Sequence, residues 1–174
     1  SGRTDASFAQ YLDADKPGKP LVIQPIQDNV QYDVDHAGGD KFYIYTNKDA
    51  KNYRLVETPI AKPSQENWKD VIAHRSDVFL RGVDYFKEYL ATEEMSAGLV
   101  KIKLTKWSDG TSHSIDFGEA AYFAGIGTNR EFNTNIIRYT YQSMTTPNST
   151  FDYNMDSRER ALMKEQPVLG GFDK

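Results

Sequence analysis

The sequence contains no cysteine, which excludes both a disulfide framework and any metal site built from thiolates. This absence fits a reducing compartment, and we expect a cytoplasmic location, with the periplasm as the alternative. Histidine is also scarce, with three residues scattered along the chain. A histidine-based metal centre is therefore not favoured, and we predict no metal and no cofactor.

Long apolar runs are missing as well, which excludes a transmembrane helix. The first residues, 1–6, lack the apolar core of a signal peptide and an initiating methionine, so we expect a piece of a longer protein. The formal net charge is −4, and phosphate binding requires clustered basic residues. We therefore predict neither a nucleic acid nor a membrane as partner.

Aromatic residues, by contrast, make up 13% of the 174 residues, with 11 tyrosines and 9 phenylalanines, and they favour strands over helices. The stretch 135–166 shows the pattern best, because short aromatic and β-branched runs alternate there with Ser, Thr, Pro, Asn and Asp. We predict three strands joined by two turns, with Pro147 in the first turn because it cannot donate a ladder hydrogen bond. Such a unit needs similar neighbours to bury its faces.

Similar segments recur upstream of this stretch. We predict strands at residues 7–13, 21–25, 30–35, 42–46, 53–59, 68–73, 79–86, 89–93, 99–104, 112–117 and 120–126. Residues 94–98 are predicted as a turn, and helix is not expected beyond a single turn at 64–68. Tyr43, Tyr89 and Tyr139 occupy the second strand of successive copies. A four-strand unit that repeats every 40–50 residues, roughly, is typical of β-propeller blades.

We therefore predict an all-β fold: a partial β-propeller with about three four-stranded antiparallel blades plus a half-blade. The whole chain, residues 1–174, would be the C-terminal part of a propeller domain. Within it we predict the outer strands of an incomplete blade at 1–27, blades at 28–75, 76–118 and 119–166, and a linker at 167–174. The alternative is a β-sandwich of evenly spaced strands.

No catalytic set is recognisable in the sequence. A Gly-x-Ser-x-Gly nucleophile turn is absent. Ser112, His113 and Ser114 are neighbours on a predicted strand, so the serines and the histidine point to opposite faces. His36 and His74 fall in a turn and at a strand end, where exposure is expected. We predict no catalytic, cofactor-binding or metal-binding residues in this chain.

Two carboxylate pairs are candidates for a general acid and a general base. Glu93 and Glu94 are adjacent, and Asp33 and Asp35 lie on one face of a predicted strand. Glycosidases bring two carboxylates together across a cleft, but no spacing rule selects either pair, so a solvated rim or a turn is the simpler interpretation. The Gly-Ile-Gly run at 125–127 has no helix after it, and a phosphate-binding loop is unsupported.

Several runs of residues resemble a known family. They are residues 42–49 with 53–55, the glutamate pair 93–94 before 98–99, the run 141–147, and the ending 165–173. With these runs the chain resembles the oligopeptidase B (protease II) branch of the prolyl oligopeptidase family of serine peptidases. The Ser-Met-Thr-Thr-Pro sequence within 141–147 is the most specific of them.

The resemblance implies a seven-bladed propeller that caps an α/β-hydrolase domain, in an enzyme that cleaves short peptides after Lys or Arg. The family's catalytic Ser, Asp and His belong to the hydrolase domain, expected after Lys174, so none carries over onto this chain. The propeller would filter substrates by exclusion, with acidic lining residues favouring basic peptides. Met95 stands where relatives commonly have arginine, so any contact made by that arginine is lost here.

The expected partners are therefore the missing hydrolase domain and short basic peptides. Self-association is expected too, because the incomplete blade at 1–27 and the last blade at 120–164 would each present an apolar face or an open edge. The alternative function is a non-enzymatic propeller or sandwich that binds a protein or a glycan. A Gly-x-Ser-x-Gly turn encoded beyond Lys174 would favour the peptidase.

Overall fold

The computed structural model describes residues 9–11, 21–24 and 29–166, and this part of the chain consists of strands and turns. In chain order the strands are β1 (Ala9–Tyr11), β2 (Leu21–Gln24), β3 (Tyr32–Asp35), β4 (Lys41–Thr46), β5 (Arg54–Pro59), β6 (Lys69–Ile72), β7 (Phe79–Tyr85), β8 (Tyr89–Ser96), β9 (Leu99–Lys106), β10 (Ser112–Ser114), β11 (Tyr122–Ile126), β12 (Ile136–Ser143), β13 (Ser149–Asn154) and β14 (Arg160–Glu165). One 3-10 turn, Gln65–Asn67, falls where a single turn was predicted. No helix in the described part has the length and apolarity needed to cross a membrane.

The first of two compact units, Ser1–Phe79, contains a two-stranded sheet, β1–β2, and a four-stranded sheet in the order β3-β4-β5-β6. Strand β4 alternates buried with half-buried residues, as a strand with one face on a core must. Its buried side chains Phe42 and Ile44 pack with Tyr32 of β3 and with Ile23 of β2. The core of this unit therefore lies on the face that carries the even-numbered residues of β4.

The second unit, Leu80–Lys174, contains two four-stranded sheets, β7-β8-β9-β10 and β11-β12-β13-β14. Tyr89 and Ile102 of one sheet are buried in a shared core with Ile137 and Tyr139 of the other. Burying a side chain of this size contributes about 2–3 kcal/mol, so the two sheets hold each other through their facing aromatic and aliphatic residues.

These sheets confirm the prediction of an all-β fold with three consecutive four-stranded antiparallel sheets. The strands predicted to be second in their units are β4, β8 and β12, and each lies in a different sheet. Pro147 lies in the β12–β13 connection, as predicted. Most of the incomplete blade predicted at 1–27 and all of the predicted linker at 167–174 fall outside the described residues. The predicted blade boundaries themselves stay a prediction.

Most strand ends differ from the sequence prediction by one or two residues, and two strands, β8 and β10, end three residues away from their predicted ends. Strand β8 continues to Ser96, so Glu94 lies in a strand and the turn is reduced to Ala97 and Gly98, both with positive φ. The prediction of a turn at 94–98 was wrong because charged residues such as Glu94 are typical of turns. The length of β8 is instead set by its cross-strand pairs with β9. The strand predicted at 112–117 ends at Ser114. Phe117 leaves the ladder and stacks on Tyr141, 5.0 Å between ring centroids.

Candidate functional site

The acidic pair on β3 lies on a solvent-accessible face of the first unit. Asp33 pairs in register with Tyr45, and Asp35 with Tyr43, which in turn is opposite Glu57 on β5. Residues opposite one another in a sheet share a face. Asp33, Asp35 and Glu57 therefore share the face away from the buried core residues, and both aspartates are exposed. The sequence prediction that they share one strand face is confirmed.

The electrostatics of this face are dominated by its carboxylates. Desolvation raises the pKa of Asp35, and the neighbouring Asp33 carboxylate raises it further. Glu57 is already paired with Lys41, 2.9 Å from Nζ to Oε1. Among the residues that the structure describes, no lysine or arginine forms an ion pair with either aspartate. A positive charge placed near Asp35 would favour its ionised form.

The second carboxylate pair is split between two roles. Glu93 and Glu94 are neighbours on β8 and point to opposite faces. The Oε1 atom of Glu93 accepts a hydrogen bond from the backbone N–H of Ile126 on β11, in the adjacent sheet of the second unit. Glu94 accepts one from Thr92 Oγ1 at 3.3 Å. The pair is therefore not arranged as acid and base, and Glu93 links two sheets.

The Gly-Ile-Gly run lies at this same link. A Cβ atom added to Gly125 would stand 3.3 Å from Glu93 Oε1, and one added to Gly127 would stand 3.2 Å from the carbonyl oxygen of Arg138. Both glycines thus permit a close approach of neighbouring chain. The structure brings together two motifs, Glu93 and residues 125–127, that the sequence presented as unrelated.

The serine–histidine run on β10 does not form a nucleophile and base. Ser112 and Ser114 are exposed, whereas His113 is half-buried and its Nε2 lies 3.2 Å from the hydroxyl of Tyr153. Burial lowers the pKa of His113, and Arg158 lowers it further. The histidine therefore contacts the neighbouring sheet, and the two serines face away from it.

The other histidines lie where the sequence predicted them. His36 follows β3, and its Nε2 is 3.0 Å from the carbonyl oxygen of Gly39. His74 follows β6 and is exposed. Across the described ranges, no group of three or more His, Asp and Glu residues is placed to hold a metal ion.

The β12–β13 hairpin contains the Ser-Met-Thr-Thr-Pro run and ends in a tightly bonded turn. Ser143 Oγ accepts hydrogen bonds from the backbone N–H groups of Thr145 and Thr146, at 3.2 and 3.0 Å. The N–H of Ser143 donates to the carbonyl oxygen of Thr146 at 3.0 Å. Met144 lies at the tip, and 95% of its surface is accessible.

Glu119 lies in the connection between the two sheets of the second unit and forms hydrogen bonds with this hairpin. Its two carboxylate oxygens accept hydrogen bonds from Thr145 Oγ1 and from the hydroxyl of Tyr141. Hydrogen bonds from Ser143, Thr145 and Tyr141 hold the pKa of Glu119 below its usual value. Sequence reasoning missed this residue because its partners lie more than twenty positions away.

An open cavity of about 520 Å³ in the second unit is lined by the β11–β12 connection and by residues of β12 and β13. Its floor includes Arg138, whose Nε and Nη2 donate to the two oxygens of Asp152 at 2.7 and 2.8 Å. Asn129 also lines the cavity, and its Oδ1 accepts a hydrogen bond from the backbone N–H of Arg138 at 2.7 Å. The arginine in this cavity is therefore already neutralised by a bidentate partner.

The fold and these runs of residues have counterparts in known proteins. Residues 1–166 match the model of the prolyl oligopeptidase N-terminal β-propeller domain. The chain belongs to the prolyl oligopeptidase family. The resemblance seen in the sequence is thereby confirmed, and the three four-stranded sheets are propeller blades.

Named relatives in this family include peptidases of two bacteria. The chain is 39% identical to dipeptidyl aminopeptidase BI of Pseudoxanthomonas mexicana, over 96% of this chain and 23% of that protein. It is 27% identical to Protease 2 of Moraxella lacunata, over 100% of this chain and 25% of that protein.

Among solved structures, oligopeptidase B from Leishmania major matches with a TM-score of 0.81 and 26% identity, over 97% of this chain and 25% of that one. The chain thus spans about a quarter of the length of the relatives it matches. It corresponds to part of the β-propeller domain of this family.

Proposed function

We propose that this chain is the substrate-filtering part of a serine oligopeptidase that cleaves short peptides after Lys or Arg. The observation behind the proposal is the match of residues 1–166 to the propeller domain of the prolyl oligopeptidase family. Relatives named Protease 2 and oligopeptidase B support it. In this proposal the triad and oxyanion hole lie in the rest of the polypeptide, and the blades limit which peptides reach them.

The acidic pair on β3 supports a preference for basic peptides. In propellers the first strand of each blade borders the central channel, and β3 is the first strand of its sheet. Exposed carboxylates in a channel raise the local concentration of cationic substrates. Asp33 and Asp35 are exposed and lack a basic partner among the described residues, so they would attract a Lys or Arg side chain of the peptide.

The test uses the full-length protein with chromogenic arginyl, lysyl and prolyl substrates. We expect hydrolysis after Arg and Lys, and no turnover by the 174-residue chain alone, because acyl transfer requires the triad and oxyanion hole. Asp33→Asn combined with Asp35→Asn should lower kcat/KM for a dibasic peptide by about tenfold at low salt, and by less at high salt. Glu66→Gln with Asp77→Asn removes the same charge from other exposed positions and serves as control.

Two results would contradict this proposal. Exclusive cleavage after proline would exclude the Lys/Arg specificity. If the full-length protein hydrolyses no peptide at all, the alternative of a non-enzymatic module that binds a protein or glycan would be favoured instead.

Dipeptide release from a free N-terminus is a second candidate activity. The relative at 39% identity is named a dipeptidyl aminopeptidase, and an exposed aspartate pair suits an α-ammonium group as well as a basic side chain. Matched dipeptidyl-arginine substrates with free and acetylated N-termini separate the two candidates. Dipeptide release requires the free amine, whereas endopeptidase cleavage tolerates the acetyl group.

The isolated chain is also proposed to self-associate. The last strand, β14, has all six residues exposed, including Leu162 at 52% and Met163 at 54%. It forms the outer edge of its sheet, and open strand edges pair readily with another chain. A second copy of the chain is the partner that this edge would find in a pure solution.

A further inference from the structure

The open cavity beside the β11–β12 connection has the size of a small-ligand site. Its volume is about 520 Å³, and sites for small molecules typically measure roughly 300–1,000 Å³. Polar and charged side chains of the connection line it, and half-buried Ile136 of β12 adds an apolar wall. The cavity is therefore large enough, and varied enough in its lining, to hold a small polar molecule or the end of a peptide.

Hydrogen bonds hold both ends of the connection that lines this cavity. Asn129 Nδ2 donates to the carbonyl oxygens of Gly127 and Arg138, at 3.1 Å each. At the other end, Thr134 Oγ1 accepts the N–H of Ile136 at 3.1 Å. A loop that is already ordered loses less entropy when a ligand binds than a mobile one. The cavity is therefore preorganised.

The cavity offers more free hydrogen-bond donors than free acceptors. Asp152 engages Nε and Nη2 of Arg138, which fixes this guanidinium and leaves its Nη1 without an acceptor among the described residues. Both oxygens of Asp152 and the Oδ1 atom of Asn129 already accept hydrogen bonds. A ligand that accepts hydrogen bonds therefore suits the cavity better than one that donates them.

Two adjacent charged residues of the lining, Arg130 and Glu131, are exposed. Neither forms an ion pair with any residue that the structure describes. Arg130 presents the five N–H groups of a guanidinium, which match a carboxylate in geometry and charge. Glu131 is the only anion of the lining that is not already paired, and it would repel a bound carboxylate.

We infer that this cavity binds the C-terminal carboxylate of a short peptide, with Arg130 as the pairing cation and Arg138 Nη1 as a second donor. Charge-assisted hydrogen bonds from arginine to a carboxylate are among the strong ones. Ile136 contacts an apolar side chain of the bound peptide. The inference rests on the proposed function, which supplies peptides as ligands. Free chain ends are more frequent per residue in short peptides than in proteins, so the site favours short substrates.

The test is fluorescence anisotropy with the full-length protein and short alanine peptides labelled at the N-terminus. These peptides lack Lys and Arg, so the proposed activity leaves them intact. One peptide ends in a free carboxylate and its match ends in an amide. We expect the carboxylate peptide to bind about tenfold more tightly, and Arg130→Gln to remove this difference. Lys164→Gln, which removes the same charge from the exposed strand β14, should retain it.

Glu131→Gln is a variant with the opposite expected sign. Removal of this carboxylate should tighten binding of the carboxylate peptide by about twofold, and the gain should shrink at high salt, because like charges repel and salt screens them. Weaker binding by Glu131→Gln would show that the cavity selects cations and would overturn the inference.

Three further outcomes would overturn the inference. They are equal binding of the two peptides, equal affinities of Arg130→Gln and Lys164→Gln, and displacement of the labelled peptide by acetate as readily as by unlabelled peptide. Hydrolysis of arginyl and lysyl substrates is measured on the same samples. An active enzyme without carboxylate-dependent binding refutes the site and leaves the proposed function intact. Carboxylate-dependent binding by a protein that hydrolyses neither substrate supports the site and refutes the proposed function.

Discussion

At the scale of single residues, the contacts that join the two sheets of the second unit are polar as well as apolar. Glu93 accepts the N–H of Ile126 at the inner edge of the next sheet, and Gly125 leaves room for its carboxylate. Neither residue has a catalytic partner. The acidic residue that sequence reasoning weighed as a possible acid or base therefore has a structural role between blades.

Replacement of Glu93 tests this role. Glu93→Ala leaves the half-buried Ile126 N–H without its acceptor, and we expect the free energy of unfolding to fall by about 1–2 kcal/mol. Urea denaturation of the chain measures the change. Glu88→Ala, at an exposed glutamate in the preceding turn, should change the stability by about 0.5 kcal/mol or less. Equal effects of the two substitutions would contradict the assigned contact.

The pH dependence of stability should contain a contribution from His113. Burial, aided by Arg158, lowers its pKa in the folded chain, so the unfolded chain binds the proton more tightly. The resulting stabilisation is complete above the usual histidine pKa and is lost as the pH falls below it. Denaturation at pH 7.5 and at acidic pH should therefore show a smaller loss for His113→Gln than for the unchanged chain. His74→Gln, at an exposed histidine, should keep the full loss.

At the scale of elements, the hairpins decide where the strands end. The β8–β9 turn consists of Ala97 and Gly98, with φ of 49° and 78°. Two positive φ values are the signature of a type I′ turn, which favours Asn-Gly. An alanine in the left-handed region costs roughly 1–2 kcal/mol, so this hairpin is maintained by its cross-strand pairs.

Substitutions in this turn should therefore act in opposite directions. We expect Ala97→Asn to raise the free energy of unfolding by about 0.5–1 kcal/mol, because asparagine tolerates the left-handed region. Gly98→Ala should lower it by at least about 1 kcal/mol. A Cβ atom on Gly98 would meet nothing within 4 Å, so the loss would be conformational. Thermal or urea unfolding of both variants checks the signs, and a stabilised Gly98→Ala would contradict the turn assignment.

At the scale of the whole molecule, the chain is part of a propeller domain. The relatives that it matches are about four times as long as the chain. Blades are stabilised by packing on their neighbours, and strand edges that lack a neighbour are prone to association. Strand β14 is exposed along its entire length. We therefore expect the isolated chain to associate through such an edge.

We expect the 174-residue chain to form dimers or larger species at roughly tens of micromolar, because open strand edges pair with other chains. Light scattering across a dilution series measures this. Met163→Lys places a charge on the exposed edge strand and should shift the equilibrium toward monomer, while Asp77→Asn, outside that strand, should not. A cooperatively folded chain that stays monomeric at every concentration would disprove the prediction.

The strand order, the repeat and the fold class could be predicted from the sequence because they depend on local information. Alternation of apolar residues sets a strand, and a residue such as Pro147 sets a turn, within a few positions of chain. The family resemblance rested on equally local runs such as 141–147. The length of β8 could not be predicted, because it depends on its pairing with β9.

Only the tertiary structure decided what the individual polar residues do. Glu93 and Gly125 meet across two sheets, and Glu119 reaches Thr145 from another part of the chain. The exposure of Asp33 and Asp35 on one face also follows from how β3 and β4 pair. The contacts of Glu93 and Glu119 join residues more than twenty positions apart. Their geometry is set by the packing of sheets, which no local pattern of side chains encodes.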